Sequence, residues 1–179
     1  MADWVRMRLR VDEFDDTEFV PYLERAAAAG ISFTTLAELG ETERNRHAVY
    51  ELNRTCAADI PQRGEFFTYP QYVAQRFEAP GYDPRGVLLA IRAGEPVGLS
   101  MVSLHPDRGV AFSEMTGVLR PFRGHGLSLA LKLLAIGFAR SAGARWMTTF
   151  HHPDNAAAIA MNQRLGFHTY IEEQQADSP

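Results

Sequence analysis

The stretch from Val110 to Ser141 constrains this chain most, because it joins a strand to a long helix through a glycine-bearing bend. Val110 to Leu119 is a β-prone run stopped by Pro121, which has no N–H for a sheet ladder and holds Arg120 extended before it. Gly124 and Gly126 follow, and a helix is predicted from Gly124 to Ser141 with Gly143 as its C-terminal cap. Leu127, Leu131, Leu134 and Phe138 anchor that helix on one face, while Leu129, Leu133 and Ile136 serve another.

The bend has a chemical consequence. Glycines let the backbone approach a ligand closely and adopt positive φ, and Ser128 in the first helical turn is small. Unpaired N–H groups at the helix start, worth about half a positive charge, converge there. With Arg123 adding a full charge, the segment Arg123 to Ser128 is an anion site suited to a pyrophosphate. The alternative is that the glycines only make a tight strand-to-helix turn. A dinucleotide fingerprint would need a small residue where Leu129 stands, and no Gly-Lys-Ser/Thr string of a Walker loop occurs.

Around this segment, strands and helices alternate. Val5 to Arg10 alternates apolar residues with arginine as a half-buried strand does, and Asp15, Asp16 and Thr17 offer caps for a helix ending at Gly30. A short β-prone run spans Ile31 to Leu36, a helix Glu41 to Ala58, a loop Asp59 to Gly64, and a short helix Tyr69 to Phe77. Val87 to Arg92 and Val97 to Leu104 read as a hairpin turning at Gly94. Trp146 to Phe150 is a strand, Asp154 or Asn155 caps a helix ended by Gly166, and Phe167 to Ile171 is a last strand. The fold class is therefore α/β (α+β), and no linker divides it. Residues 1–30 form a strand–helix extension on a main domain of residues 31–179.

Net charge is −4, so nucleic acid is not an expected partner. No apolar run approaches the ~18–20 residues of a membrane span, no leader pattern is visible, and the chain reads as cytoplasmic. The single cysteine, Cys56, excludes a disulfide framework and reads as core filling; adjacent His151 and His152 point apart, so no metal site is expected.

RGHGLS, Arg123 to Ser128, resembles the Arg/Gln-x-x-Gly-x-Gly/Ala motif of the GCN5-related N-acetyltransferase (GNAT) superfamily, and TGVLRPF before it resembles that family's fourth strand. NAAAIAMNQRLGF, Asn155 to Phe167, is similar to the family's second motif. The resemblance covers Ile31 to Ile171 and implies a mixed, mostly antiparallel sheet flanked by helices, with acetyl-CoA as donor and a primary amine of a small molecule or peptide as acceptor. It implies that two central strands splay around the pantetheine arm. Val118 would then contact the arm through its backbone, the N–H groups of Arg123, Gly124, His125, Gly126, Leu127 and Ser128 would hold the pyrophosphate, and Asn155 would both cap its helix and touch the arm.

An alkyl amine with a pKa of about 10.4 costs roughly 4–5 kcal/mol to deprotonate at pH 7, so a base is expected. Glu114, sharing a strand face with Thr116 and Val118, is the candidate, with a solvent-facing carboxylate as the alternative and His105 as second choice. Lys132 reads as a solvated or phosphate-facing charge, and Asp59 and Glu65 as surface acids near the acceptor. Two features depart from the family. Asn162 stands where a tyrosine commonly protonates the departing thiolate, which keeps a catalytically silent acyl-CoA-binding module as an alternative. The chain also lacks room for two strands after its last helix; Val5 to Arg10, or a partner subunit in a homodimer, would fill the vacant sheet position.

Overall fold

The alternation at the N-terminus does form a strand, β1 (Val5–Arg10), with Met7 and Leu9 buried between more exposed arginines. The computed structural model describes residues 4–171. Asp15 turns back to accept from the Thr17 amide (3.0 Å) and hydroxyl (2.6 Å). This local turn consumes the expected cap, so α1 (Val20–Ala28) begins three residues past Thr17. β2 (Ile31–Thr35) passes into a short turn of helix, α2 (Leu36–Leu39), that the apolar run alone does not announce. Its cause is a capping box: Thr35 Oγ1 accepts from the Glu38 amide, and Glu38 returns an oxygen to the Thr35 amide.

α3 (Glu43–Ala57) follows, and the expected helix at residues 69–77 is α4 (Tyr69–Tyr72) continued by a π-helical turn over Val73–Phe77. β3 (Val87–Arg92) and β4 (Glu95–His105) make the hairpin, and β5 (Val110–Val118) leads to α5 (Leu127–Ser141). β6 (Trp146–His151), α6 (Ala156–Arg164) and a two-residue β7 (His168–Thr169) complete the chain.

The sheet order is β2-β3-β4-β5-β6-β1-β7. All neighbours are antiparallel except β5 and β6. β1 lies between β6 and β7, pairing from Val5 with His151 to Arg10 with Trp146. The N-terminal strand is thus an interior strand of the sheet. On one face α1 and α5 bury Leu127, Leu131, Leu133 and Ile136 against β1, β3, β4 and β6. On the other, α3 and α4 bury Val49, Leu52, Cys56 and Tyr72 against β3 and β4. Among the described residues no helix is long and apolar enough to cross a membrane.

Two irregularities position the site. Parallel pairing of β5 with β6 stops after Val110–Trp146, Ala111–Met147 and Phe112–Thr148, although both strands run on. Beyond Phe112 the sheet opens into a wedge. The second irregularity is a bulge in β5: Met115 faces Met101 and Ser113 faces Val102, leaving Glu114 as the extra residue.

Candidate active site

The bulge decides which way each side chain of β5 points. Strict alternation would put Glu114 with Thr116 and Val118, and the structure corrects that expectation. Val118 packs beside Leu127 and Leu131 of α5, and Thr116 meets Ser100 at 2.9 Å on that same face. Glu114 lies on the opposite face with Met115, beside α4 and the π-helical turn. The inserted residue shifts the alternation by one, so period-two reasoning fails at that point.

Glu114 accepts a 2.7 Å hydrogen bond from Ser103 Oγ and sits 3.4 Å from Arg76 Nη1. Ser103 Oγ also meets His105 Nε2 at 3.2 Å. Both sequence candidates for the base are therefore joined through one hydroxyl on β4. A cleft of about 200 Å³ lined by Arg76, Tyr82, Ser103, His105 and Glu114 opens beside them.

The strand-to-helix bend takes the conformation that the glycines permit. Gly124 and Gly126 have φ of +81° and +78°, and Gly126 is the N-cap of α5 with no side-chain cap and no acid in the first turn. The N–H groups that open α5 thus lack the side-chain oxygen that most helix starts supply. His125 is exposed and Ser128 half-buried in this turn. The guanidinium of Arg123 turns back: its Nε donates to the Val118 carbonyl (2.8 Å) and its Nη2 pairs with Asp59 at 2.8 Å. Asp59 also binds Arg120, and the two guanidiniums hold its carboxyl well below the usual range. Asp59 is a brace between the loop after α3 and the bend, not a free acid facing an acceptor.

A close approach fixes Gly126. A Cβ there would overlap the Tyr22 ring of α1, and Tyr22 Oη bonds Arg164 of α6. Gly126→Ala is expected to lower stability by about 2–4 kcal/mol, combining positive-φ strain with overpacking. A denaturant midpoint equal to that of the parent protein would refute this account of the bend.

The wedge floor holds groups that sequence reasoning did not assemble. Lys132 is 1 % exposed, with Nζ donating to Ser113 Oγ at 2.6 Å and lying 5.1 Å from the Phe167 ring centroid. Burial pushes its pKa down to about 7, which corrects its reading as a solvated or phosphate-facing charge. Its spacing with Leu129, Leu133 and Ile136 is the signal that it shares their buried face. Thr149 Oγ1 bridges the opening strands by donating to the Ser113 carbonyl at 3.3 Å. Asn162 Nδ2 donates to the Ala158 carbonyl (2.9 Å) and meets His151 Nε2 (2.8 Å). His151 is held neutral, its pKa lowered to about 4 by burial and then by Lys132. Asn162 Oδ1 is buried without a partner among the described residues. Asn155 caps α6, accepting from the Ala158 amide at 3.4 Å. Cys56 is buried, its thiol pushed up to about 11 by burial, and it closes against Gly117.

Comparison with known proteins agrees with this architecture. The family model described as "Acetyltransferase (GNAT) family" matches residues 46–167. A mycothiol acetyltransferase of Streptomyces griseus is 29% identical over 130 residues, covering 73% of this chain and 42% of the relative. One from Thermobispora bispora is 31% identical over 132 residues, covering 71% and 44%. The chain thus spans less than half the length of these curated relatives. Among solved structures, a GCN5-related N-acetyltransferase from Sphaerobacter thermophilus superposes with TM-score 0.66 at 21% identity, covering 94% of this chain and 49% of that one. The ribosomal-protein-S18-alanine N-acetyltransferase of Escherichia coli superposes with TM-score 0.61 at 16% identity, covering 79% of each chain. A splayed parallel pair, a glycine bend into α5 and a family model matched across most of the sequence lead to one conclusion: the chain belongs to the acetyltransferase (GNAT) family.

Proposed function

We propose that the chain is an N-acetyltransferase that moves an acetyl group from acetyl-CoA to a primary amine of a small molecule or peptide by direct attack. The observation that carries this reading is the wedge between β5 and β6, with an uncapped helix start after β5 and a bulged carboxylate beside it. Three features fit such a donor. Among the described residues, the opening N–H groups of α5 lack a side-chain anion, Asn162 Oδ1 lacks a hydrogen-bond donor, and Lys132 is buried without a carboxylate. A pyrophosphate, an amide or thiol hydrogen, and a departing thiolate are their respective complements.

When bound, acetyl-CoA supplies the acetyl group as an activated thioester. The main-chain amides from Arg123 to Ser128 would hold its pyrophosphate, and Val118 and Asn155 would contact its arm. Glu114 takes the amine proton, oriented by Ser103 with His105 behind it. Asn162 has both amide hydrogens committed, so it has none to give a leaving sulfur. Lys132 Nζ has three donors and, among the described residues, only Ser113 as hydrogen-bond partner, and it holds the proton that the sulfur needs. The strand–helix unit of residues 1–30 serves domain 31–179 as support, through β1 in the sheet and Tyr22 beneath the bend.

Calorimetry with coenzyme A, followed by thiol release from acetyl-CoA across an amine panel, tests the reading. Binding together with release on at least one amine is expected. Binding without release on any of them assigns an acyl-CoA-binding module instead, and absence of binding overturns both.

A further inference from the structure

Two arginines meet one phenylalanine ring near the proposed base, and only one of them has a carboxylate partner. Arg63, in the loop between α3 and α4, places its guanidinium carbon 4.7 Å from the Phe66 ring centroid and 5.9 Å from that of Phe67. Arg76, in the π-helical turn, lies 5.9 Å from the same Phe67 ring. Both cations therefore flank one aromatic side chain. Arg76 has Glu114 at 3.4 Å. Arg63 has no ion pair among the described residues, and its Nε is buried without a hydrogen-bond partner. Burial first, and then the charge of Arg76, work against its charged form.

A guanidinium does not shed its proton in a protein, so this imbalance is not relieved by titration. It is relieved by an anion. The nearby acids do not supply one: Glu51 is paired with Arg54, Asp59 is held by Arg120 and Arg123, and Glu65 is exposed and forms no ion pair among the described residues. Arg63 lines a cleft of about 490 Å³ with Tyr50, Arg54, Phe66 and Phe67. Arg76 lines the smaller cleft that contains Glu114. Phe67 lines the first cleft and its ring lies 5.9 Å from Arg76 of the second, so a molecule reaching past Phe67 would put one end against a planar, fork-shaped donor and the other toward the base.

We infer that the acceptor amine carries an anionic group, a carboxylate or a phosphate, gripped by Arg63 with Arg76 beside it. The inference rests on the N-acetyltransferase reading and narrows its substrate class. The Phe66 ring lies within cation–π range of the Arg63 guanidinium, and the fork geometry suits two oxygens of one group. Anion binding at Arg76 also draws that arginine toward the substrate, leaving Glu114 with Ser103 as its remaining partner for proton removal.

The test uses matched amines with acetyl-CoA: an amino acid against its carboxamide, and an aminoalkyl phosphate against the parent amino alcohol. The anionic member of at least one pair is expected to have a kcat/KM at least about tenfold higher, as a charged hydrogen bond warrants. The pair with the larger ratio identifies the anion. In Arg63→Gln that ratio is expected to fall toward one, and in Arg63→Lys to an intermediate value because the charge persists without the fork. Equal rates for anionic and neutral members in the parent protein would overturn the inference, and need no folded variant. So would an Arg63→Gln protein that slows both members alike, which is the signature of a structural role. Acetylation without anion preference sinks only this inference; a protein that neither binds coenzyme A nor releases thiol sinks the reading beneath it.

Discussion

Glu114→Gln is expected to lower kcat by roughly 10²–10⁴-fold at pH 7, the range that general-base catalysis supplies, with the affinity for coenzyme A held within about twofold. The amide keeps the size of the side chain and can still accept from Ser103, but it takes no proton. Since Ser103 also meets His105, a second substitution separates the two candidates. His105→Gln is expected to cost much less, because His105 reaches Glu114 only through the Ser103 hydroxyl. Steady-state rates on any responding amine decide it: a loss below tenfold in Glu114→Gln, with a larger one in His105→Gln, moves the base to the histidine.

Lys132→Met is expected to do two things in opposite directions. Turnover falls, by at least about tenfold, because the buried proton donor at the wedge floor is gone. Stability at pH 7 rises, because an apolar side chain of similar length replaces an amine whose only hydrogen-bond partner among the described residues is Ser113. The pH dependence gives an independent check. The folded pKa is about 7 and the unfolded one about 10.5, so between these values the unfolded chain binds the extra proton and the native one does not. Stability of the parent protein therefore rises with pH across that window, by up to a few kcal/mol, and carries the whole penalty below pH 7. His151, with its folded pKa lowered to about 4, adds a rise of the same sign that is complete by about pH 6.5, so the two windows do not overlap. In Lys132→Met the upper rise should vanish. Chemical denaturation at pH 7, 8.5 and 10 measures this. A flat profile in the parent protein would mean that Lys132 is not held as an unpaired amine, and full turnover in the variant would remove it from the reaction.

The glycine bend, the long helix and the hairpin were legible because each rests on local chemistry: φ freedom, a missing proline N–H, and apolar periodicity. The first family motif falls on the bend and the start of α5, and the second on α6 and the turn that ends it. Glu114 was found by residue type, but its face was misjudged, because a bulge depends on the pairing of β5 with β4 and leaves no mark in the alternation of either strand alone. Lys132 was legible in retrospect from its spacing with Leu129, Leu133 and Ile136; reading it as solvated let charge outweigh periodicity. Asp59 could not be placed, since Arg120 and Arg123 stand more than sixty residues away and meet it only after α3 packs on the sheet.

By itself, then, the sequence determined where the chain bends, most of the elements it forms and that α5 opens from a glycine turn with no side-chain cap, since these follow from conformational preferences within a few residues. Only the tertiary structure decided that β1 sits inside the sheet, that β5 and β6 part after Phe112, that Ser103 and Arg76 gather around Glu114, and that Arg63 shares the Phe67 ring with Arg76. The physical reason is range. Hydrogen-bond pairing between distant strands, the burial of a lysine and the lack of a counter-ion for Arg63 are properties of the packed whole, and no local window of residues contains them.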